Sequence, residues 1–348
     1  MNRNKSIQGL RGIGALTVFV WHVHWFVDAF FKIDLTFFFR GDFANPMFFM
    51  LAGFFVGVKE YYKNINTKHF VLKKLRKMYP IYFGTLIIMF MYMFHDCYST
   101  GEGGLKQFIV LIPHIMLLQS WIPKYPYEMY LNGPAWFLSV MCFLWIMTKP
   151  ALKIIENMNY KMRCIISGLL LCIFVFGVYI IDRYDLTTII PEIIRPYNFV
   201  PYLLGMILGD AIKKENSFFA NIVENINNKK IIEIVIGTYF ILLLLIRHYF
   251  IRVYSFTFLL PLLMLTITFL YKDTSNGIIG KFLEKDFWVE LGNISMQFYL
   301  LHMPIVEFMK RLSHKMSSYI GGMEIALLSF LITYLIAKVT VKRQFGKL

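Results

Sequence analysis

The feature that most limits what this chain of 348 residues can fold into is a series of ten apolar stretches without lysine or arginine. Helical stretches of about 20 apolar residues match the hydrocarbon thickness of a bilayer. Charged residues make up only 16% of the chain, whereas about 25% is usual in soluble domains. The sequence therefore predicts an all-α integral membrane protein with about ten transmembrane helices. The predicted spans are 12–31, 43–58, 78–94, 135–148, 164–181, 196–212, 231–246, 254–271, 292–309 and 322–337.

The distribution of positive charge predicts how these spans are oriented. Of the 36 lysine and arginine residues, 25 lie on one side of the predicted membrane and 11 on the other. The positive-inside rule assigns the richer side, which carries both termini, to the cytoplasm. A further apolar stretch near 107–121 is predicted not to cross, because a crossing would move 15 of those charges outside. Topology thus accounts for the net charge of +15, and no nucleic-acid partner is expected.

The remaining sequence indicates neither a second domain nor a metal centre. No soluble domain, long linker or internal repeat is evident, so residues 1–348 are predicted to form one integral-membrane domain. The four cysteines do not form a disulfide framework, since three of them lie in apolar stretches. The histidines lack partner ligands at the usual metal-binding offsets, so no metal is expected.

Arg11 lies directly before the first predicted span, and His22 lies within it. Eleven residues correspond to three helical turns plus about 20°, so both side chains are predicted to lie on one helix face, roughly 16 Å apart. This places an arginine at the membrane rim and a histidine near mid-membrane, which suits a long polar ligand that enters the bilayer. Ionisable groups at that depth are costly and are therefore functional candidates. The alternative is that Arg11 is a topological anchor and His22 a packed interior histidine.

A basic cluster between Lys68 and Lys77 precedes the third span and is predicted to lie at the cytoplasmic surface. Lys74 and Lys77 are three residues apart and therefore share a helix face, with Arg76 between them. One interpretation is a phosphate-binding site beside Arg11. The other is topological anchoring, or attraction to anionic lipid head groups.

Three further spans contain polar or aromatic candidates. Asn45 lies near the outer end of the second span, where Gly53 and Gly57 also predict close helix packing. Trp136 is either an interfacial belt residue or a stacking platform for a sugar. His302 is predicted to lie near mid-membrane, followed by the helix-perturbing Pro304.

Together these segments resemble the acyltransferase-3 family of integral-membrane acyltransferases. The motifs follow the family's order over most of the chain. They are Arg11-x10-His22, Phe48-Phe49 with Ala52-Gly53-Phe54, the basic cluster ending in Tyr79-Pro80, Trp136-Phe137-Leu138, and Leu291-Gly-Asn-Ile-Ser295 with Tyr299-Leu-Leu-His302-Met-Pro304.

The resemblance implies a multi-pass protein of the cell membrane, expected to be the bacterial plasma membrane. Such a protein moves an acyl group, often acetyl, from cytoplasmic acyl-CoA to a hydroxyl of an extracytoplasmic glycan or lipid-linked sugar. Acyl-CoA is then a donor substrate, and no bound cofactor is expected. Burial should keep the His22 imidazole neutral and available as the base that activates the hydroxyl.

The resemblance also assigns roles to the remaining candidates. Lys74 and Lys77 stand where the family usually has arginines, and lysine lacks the bidentate fork of arginine. The expected donor-binding residues are Arg11, Lys74, Arg76 and Lys77. The expected acceptor-binding residues are Asn45, Trp136, Tyr299 and His302.

Two other classes of protein agree with ten spans and intramembrane polar groups. A transporter that flips a lipid-linked sugar would more often show repeat symmetry or broken half-helices, and it does not require the Arg11–His22 spacing. A non-catalytic membrane subunit would use its histidines only for packing. The cost of idle intramembrane polar groups and the family resemblance favour the acyltransferase.

Overall fold

The computed structural model describes most of the chain, and all statements below concern these residues. They are 4–31, 41–59, 66–99, 105–123, 131–186, 189–191, 194–226, 228–249, 252–272, 277–315 and 321–345.

Within these ranges the regular structure is helical, in agreement with the predicted all-α class. Thirteen α-helices are joined by turns, two of which are short 3-10 helices at Gln119–Trp121 and Gly133–Ala135. The α-helices are α1 (Lys5–Phe31), α2 (Gly41–Val58), α3 (Thr67–Ser99), α4 (Leu105–Ile115), α5 (Trp136–Glu156), α6 (Tyr160–Arg183), α7 (Pro196–Lys213), α8 (Phe218–Asn225), α9 (Lys229–Tyr249), α10 (Arg252–Lys272), α11 (Ile278–Leu283), α12 (Asp286–Lys315) and α13 (Gly322–Phe345).

The long helices correspond to the predicted spans. Each span falls in a different helix of at least 18 residues, apart from one residue at the start of 135–148. In the described part of the chain, four helices are long and apolar enough to cross a membrane by length and composition alone. These four helices are Thr67–Ser99, Gly133–Glu156, Tyr160–Arg183 and Gly322–Gln344. Ten crossings and cytoplasmic termini stay predictions.

The apolar stretch near 107–121 forms α4 and the 3-10 turn that follows it. The 11 residues of α4 rise only about 16 Å, roughly half of a hydrocarbon core of about 30 Å. This length agrees with the prediction that the stretch does not cross.

Helices α1 and α12 approach each other through glycines. A methyl group on Gly12 would overlap the carbonyl oxygen of Trp288, and one on Gly292 would overlap that of Gln8. Because these positions have no side chain, the two backbones touch. In a bilayer, where apolar side chains gain little by leaving lipid, such close packing is a main source of helix association.

Helices α2 and α7 form the most extensive helix pair among the described residues. Gly53 and Gly57 on α2 face the α7 backbone, while Gly205 and Gly209 on α7 face the α2 backbone. Both pairs have the four-residue spacing that places small residues on one face. The close packing predicted for Gly53 and Gly57 is therefore present.

A buried ion pair joins the end of α7 to the start of α6. Arg163 donates to Asp210 at 2.5 Å, and both side chains are almost completely buried. Lys214 lies 3.1 Å from the same carboxylate. Removing Asp210 would leave the buried Arg163 charge without this partner, and breaking a buried pair in this way typically costs about 3–5 kcal/mol.

The α2–α7 packing gives the first prediction. We expect Gly205→Ala to destabilise the protein by about 1–3 kcal/mol, the usual range for overpacking, because the added methyl group would overlap the carbonyl oxygen of Met50. The matched control is Gly84→Ala on α3, where an added methyl group meets nothing within 4 Å. Thermal unfolding in detergent measures both variants, and equal unfolding temperatures would contradict the packing.

Candidate active site

Helix α1 carries Arg11 and His22 on one continuous helix, as their spacing predicts. Both side chains contact α12. The Nη2 atom of Arg11 donates to Ser295 Oγ at 2.9 Å, and His22 lies against His302. The two contacts are separated by three turns of α1, or about 16 Å along its axis. We call the face of α1 that carries these two contacts the polar stripe, although the buried, apolar Val18 lies between them.

The two histidines form a close pair at the deeper end of this stripe. Nδ1 of His22 lies 3.3 Å from Nε2 of His302, and the ring centroids are 4.9 Å apart. His302 is only 1% exposed, whereas His22 is partly exposed. Of the two rings, His22 is thus the one that a ligand can reach.

Backbone carbonyls define the tautomer of each ring. Nδ1 of His22 lies 2.7 Å from the carbonyl oxygen of Val18, and Nδ1 of His302 lies 2.6 Å from that of Tyr299. A carbonyl oxygen only accepts, so both Nδ1 atoms carry the proton in the neutral rings. His302 Nε2 then accepts from His22 Nδ1, and His22 Nε2 keeps a lone pair. The arrangement leaves one nitrogen of the pair able to take up a proton.

The segment of α12 just before His302 is held by the turn that precedes α5. Pro304 has no N–H, so the carbonyl of Leu300, four residues earlier, lacks its helical donor. Asn132 Nδ2 donates to this carbonyl at 2.9 Å. The Tyr299 hydroxyl donates to the carbonyl of Pro134 at 2.6 Å. These two bonds fix the part of α12 that presents His302.

Asn132 is almost completely buried, at 1% exposure. Its amide also donates to Thr85 Oγ1 at 3.0 Å. Its Oδ1 atom has no hydrogen-bond partner. A buried acceptor without a donor is costly, because it has lost its water without replacement.

Trp136 follows the same turn and is partly exposed. Its ring is tilted against that of Phe49, with centroids 6.3 Å apart. Asn45 is partly exposed near the start of α2. None of the described contacts joins Asn45 to the histidine pair, so its expected role as an acceptor contact stays a prediction.

The other end of the stripe is strongly basic. Lys74 interacts electrostatically with Arg11, Lys59, Lys73 and Lys77. Their positive charges repel one another, so an anion that sits among them would be bound strongly.

An amide bridge links α3 to α12 through α13 in the same region. Gln344 Nε2 donates to the carbonyl of Lys77 at 3.2 Å, and Gln344 Oε1 accepts from Gln297 at 3.3 Å. The side chains of Arg76 and Lys77 are both exposed at the surface.

The sequence prediction of the site did not include Ser295 or Asn132. Ser295 lies seven residues before His302, which is two turns and thus the same face of α12. The spacing argument used for α1 would have identified Ser295 if it had been applied to α12. Asn132 gave no comparable signal, because its partner Leu300 lies 168 residues away in the chain.

Comparison with known proteins identifies the class. The family model described as an acyltransferase domain matches residues 4–341, nearly the whole chain. The chain therefore belongs to the acyltransferase-3 family, as the motifs predicted. One curated relative is the protein named acyltransferase MdmB of Streptomyces mycarofaciens, which is 31% identical over 145 residues. That alignment covers 39% of this chain and 36% of the relative. No solved structure shows significant similarity to the chain.

Proposed function

We propose that this chain is a membrane O-acyltransferase. It moves an acyl group, expected to be acetyl, from cytoplasmic acyl-CoA to a hydroxyl of an extracytoplasmic or lipid-linked glycan. Membership of the acyltransferase-3 family supports acyl transfer. The observation that carries the proposal is the contact between His22 and His302, three helical turns from Arg11 along the same face of α1.

The donor binds with its phosphates at the basic end of the stripe. Arg11, Lys74 and Lys77 supply the positive charge, and Arg76 adds to it from the surface. Hydrogen bonds between a cationic side chain and phosphate are among the stronger ones in proteins. The phosphates lie at one end of coenzyme A and the thioester at the tip of a long flexible arm. An extended arm that spans the roughly 16 Å between Arg11 and His22 brings the acyl carbon to His22.

His22 acts as the general base. Its Nε2 takes the proton of the acceptor hydroxyl while the oxygen attacks the thioester carbon. The new C–O bond forms, the C–S bond breaks, and the coenzyme A thiolate takes the proton back from His22. Transfer through an acyl-His22 intermediate would use the same lone pair.

His302 orients the base. It is buried, and its Nε2 accepts a hydrogen bond from the Nδ1–H group of His22. This hydrogen bond keeps the lone pair of His22 on Nε2. When His22 becomes protonated, the Nδ1 hydrogen bonds to His302 and Val18 remain in place. No group has to reorient during the proton transfer, which is favourable for catalysis.

The acceptor approaches from the opposite side of the membrane. Trp136 offers a partly exposed ring for stacking against a sugar, and Asn45 lies at the same predicted end. Tyr299 places its hydroxyl on the turn that leads to Trp136.

The competing proposal is a flippase for a lipid-linked sugar. Such a protein also needs polar groups in the membrane, but it has no use for a base with a defined tautomer. The family match favours the acyltransferase. Mass spectrometry of surface glycans and lipid-linked sugars tests the choice. An acyltransferase leaves an acyl group on the sugar, whereas loss of a flippase makes unmodified lipid-linked sugar accumulate.

The base assignment predicts the effect of His22→Ala. In cells that lack the chromosomal gene, this variant should lower acylation of the glycan by about 10²–10⁴-fold, the usual contribution of general base catalysis. Mass spectrometry of the glycans measures the loss, and immunoblotting of membranes confirms equal expression. A His22→Ala protein with full turnover would end the assignment.

The control for His22→Ala is His24→Gln. His24 is also buried, but its Nδ1 is bonded to the carbonyl of Trp21 at 2.6 Å and its ring stacks on that of Trp21. We therefore expect the His24 variant to keep most of its activity. Equal losses in both variants would indicate a general defect of α1 instead of a missing base.

The donor site predicts selective losses of affinity. Arg11→Ala and Lys77→Ala should each weaken coenzyme A binding by about 1.5–3 kcal/mol, or roughly 10–150-fold. Calorimetric titration of the purified proteins with coenzyme A and with pantetheine, which lacks the nucleotide phosphates, measures the effect. Lys161→Ala removes an exposed lysine elsewhere and should be silent. If the two variants lose no more affinity for coenzyme A than for pantetheine, the phosphates bind elsewhere.

The proposed orientation, with ten crossings and cytoplasmic termini, predicts a labelling pattern. In a chain whose native cysteines are replaced by serine, Tyr98→Cys should react with an impermeant maleimide on intact cells, because Tyr98 is 77% exposed at the outer end of α3. Asn221→Cys on α8 should react only after the membrane is opened. Labelling of position 221 from outside would mean that 107–121 crosses.

A further inference from the structure

A groove lies between the first turns of α3 and the second half of α5. Its volume is about 560 Å³. Both helices are among those long and apolar enough to cross a membrane. Lys68 precedes the predicted span 78–94, and Lys149 directly follows the predicted span 135–148. The predicted topology therefore places the groove at the cytoplasmic boundary between membrane and water. Its lining residues are Asn66, Thr67, Lys68, Val71, Leu72, Ile146 and Lys149.

The walls of the groove are apolar, and its two charged residues are Lys68 and Lys149. Leu72 is 40% exposed and Ile146 is 45% exposed, so each helix presents apolar surface there. Lys68 lies one helical turn before Leu72, and Lys149 lies one turn after Ile146. The lining thus combines surface for a hydrocarbon chain with two positive charges.

The groove and the proposed donor site use different lysines of α3. Lys74 and Lys77 lie about 120° and 180° around the helix from Lys68. The Lys74 ammonium sits 5.5 Å from the ring centroid of Phe70, which is only 2% exposed. Lys74 therefore belongs to the interior side of α3, whereas Lys68 and Leu72 belong to its outer side.

The helix terminus itself contributes little to this groove. Asn66 caps α3, and its Oδ1 accepts from the backbone N–H groups of Lys68 at 2.9 Å and His69 at 3.4 Å. Because these amide groups are already bonded, an anion in the groove would be held by the ammonium groups of Lys68 and Lys149.

We propose that this groove binds an anionic phospholipid, with the phosphate between Lys68 and Lys149 and an acyl chain against Val71, Leu72 and Ile146. The two lysines match the charge of the head group, and the apolar walls match its chain. Lysines near a membrane surface attract anionic lipids in this way. The proposal does not depend on acyl transfer, and it assigns Lys68 to the lipid while Lys74 and Lys77 stay with the donor.

Native mass spectrometry of the detergent-purified protein tests the site, with added phosphatidylglycerol or phosphatidylcholine as the probe. The double variant Lys68→Gln/Lys149→Gln should bind phosphatidylglycerol roughly 25-fold more weakly, or about fivefold for each lysine. Binding of phosphatidylcholine should not change. The variant Lys68→Arg/Lys149→Arg keeps both charges and should bind phosphatidylglycerol as the wild type does.

The matched control is Lys161→Gln/Lys230→Gln, which removes two exposed lysines from the same predicted side of the membrane. If this control variant loses as much affinity for phosphatidylglycerol as the groove variant does, only the total charge matters and the site is refuted. Coenzyme A titration separates the two proposals, because the groove variant should bind coenzyme A normally. If the groove variant binds coenzyme A more weakly while its lipid binding is unchanged, the groove belongs to the donor site and the lipid proposal is overturned.

Discussion

The backbone contact between α1 and α12 is the constraint on which the rest of the site depends. Gly12 and Gly292 lie where any side chain would overlap the backbone of the other helix. Only this close approach allows the Arg11 side chain to reach Ser295 and the His22 ring to reach His302. In lipid, the small residues and the polar contacts act together, since packing brings the polar groups into range and their hydrogen bonds hold the helices. The polar stripe is thus also part of what stabilises the helix pair.

The basic cluster shows how charges with similar sequence context acquire different surroundings. From the sequence, anchoring by charge and phosphate binding are competing interpretations of the same segment. The structure separates its lysines by helix face, because Lys74 interacts with Arg11 while Lys68 lines an outer groove. Positive-inside topology and ligand binding then need not compete, because every lysine of the cluster adds to the charge on that side of the membrane while individual lysines contact different ligands.

Helical periodicity accounts for the part of the site that the sequence could predict. Arg11 and His22 lie on one helix, so a fixed rotation per residue is enough to place them on one face. The same reasoning extends to Ser295 and His302 on α12. Periodicity cannot say which helices meet, and the pairing of His22 with His302, 280 residues apart, follows only from packing. The glycines of α2 were a partial exception, since their spacing predicted close packing but not that α7 was the partner.

Pro304 explains why a turn far away in the chain belongs to the site. A proline in a helix usually bends it or leaves a carbonyl without a donor. Here the Asn132 amide supplies that donor to Leu300, and the Tyr299 hydroxyl ties the same segment to Pro134. The backbone carbonyl of Tyr299 in turn fixes the tautomer of His302. A continuous series of hydrogen bonds therefore runs from the turn beside Trp136, through α12, to His22. In a low-dielectric interior such bonds reinforce one another, so the turn proposed to meet the acceptor and the proposed base are held by one network.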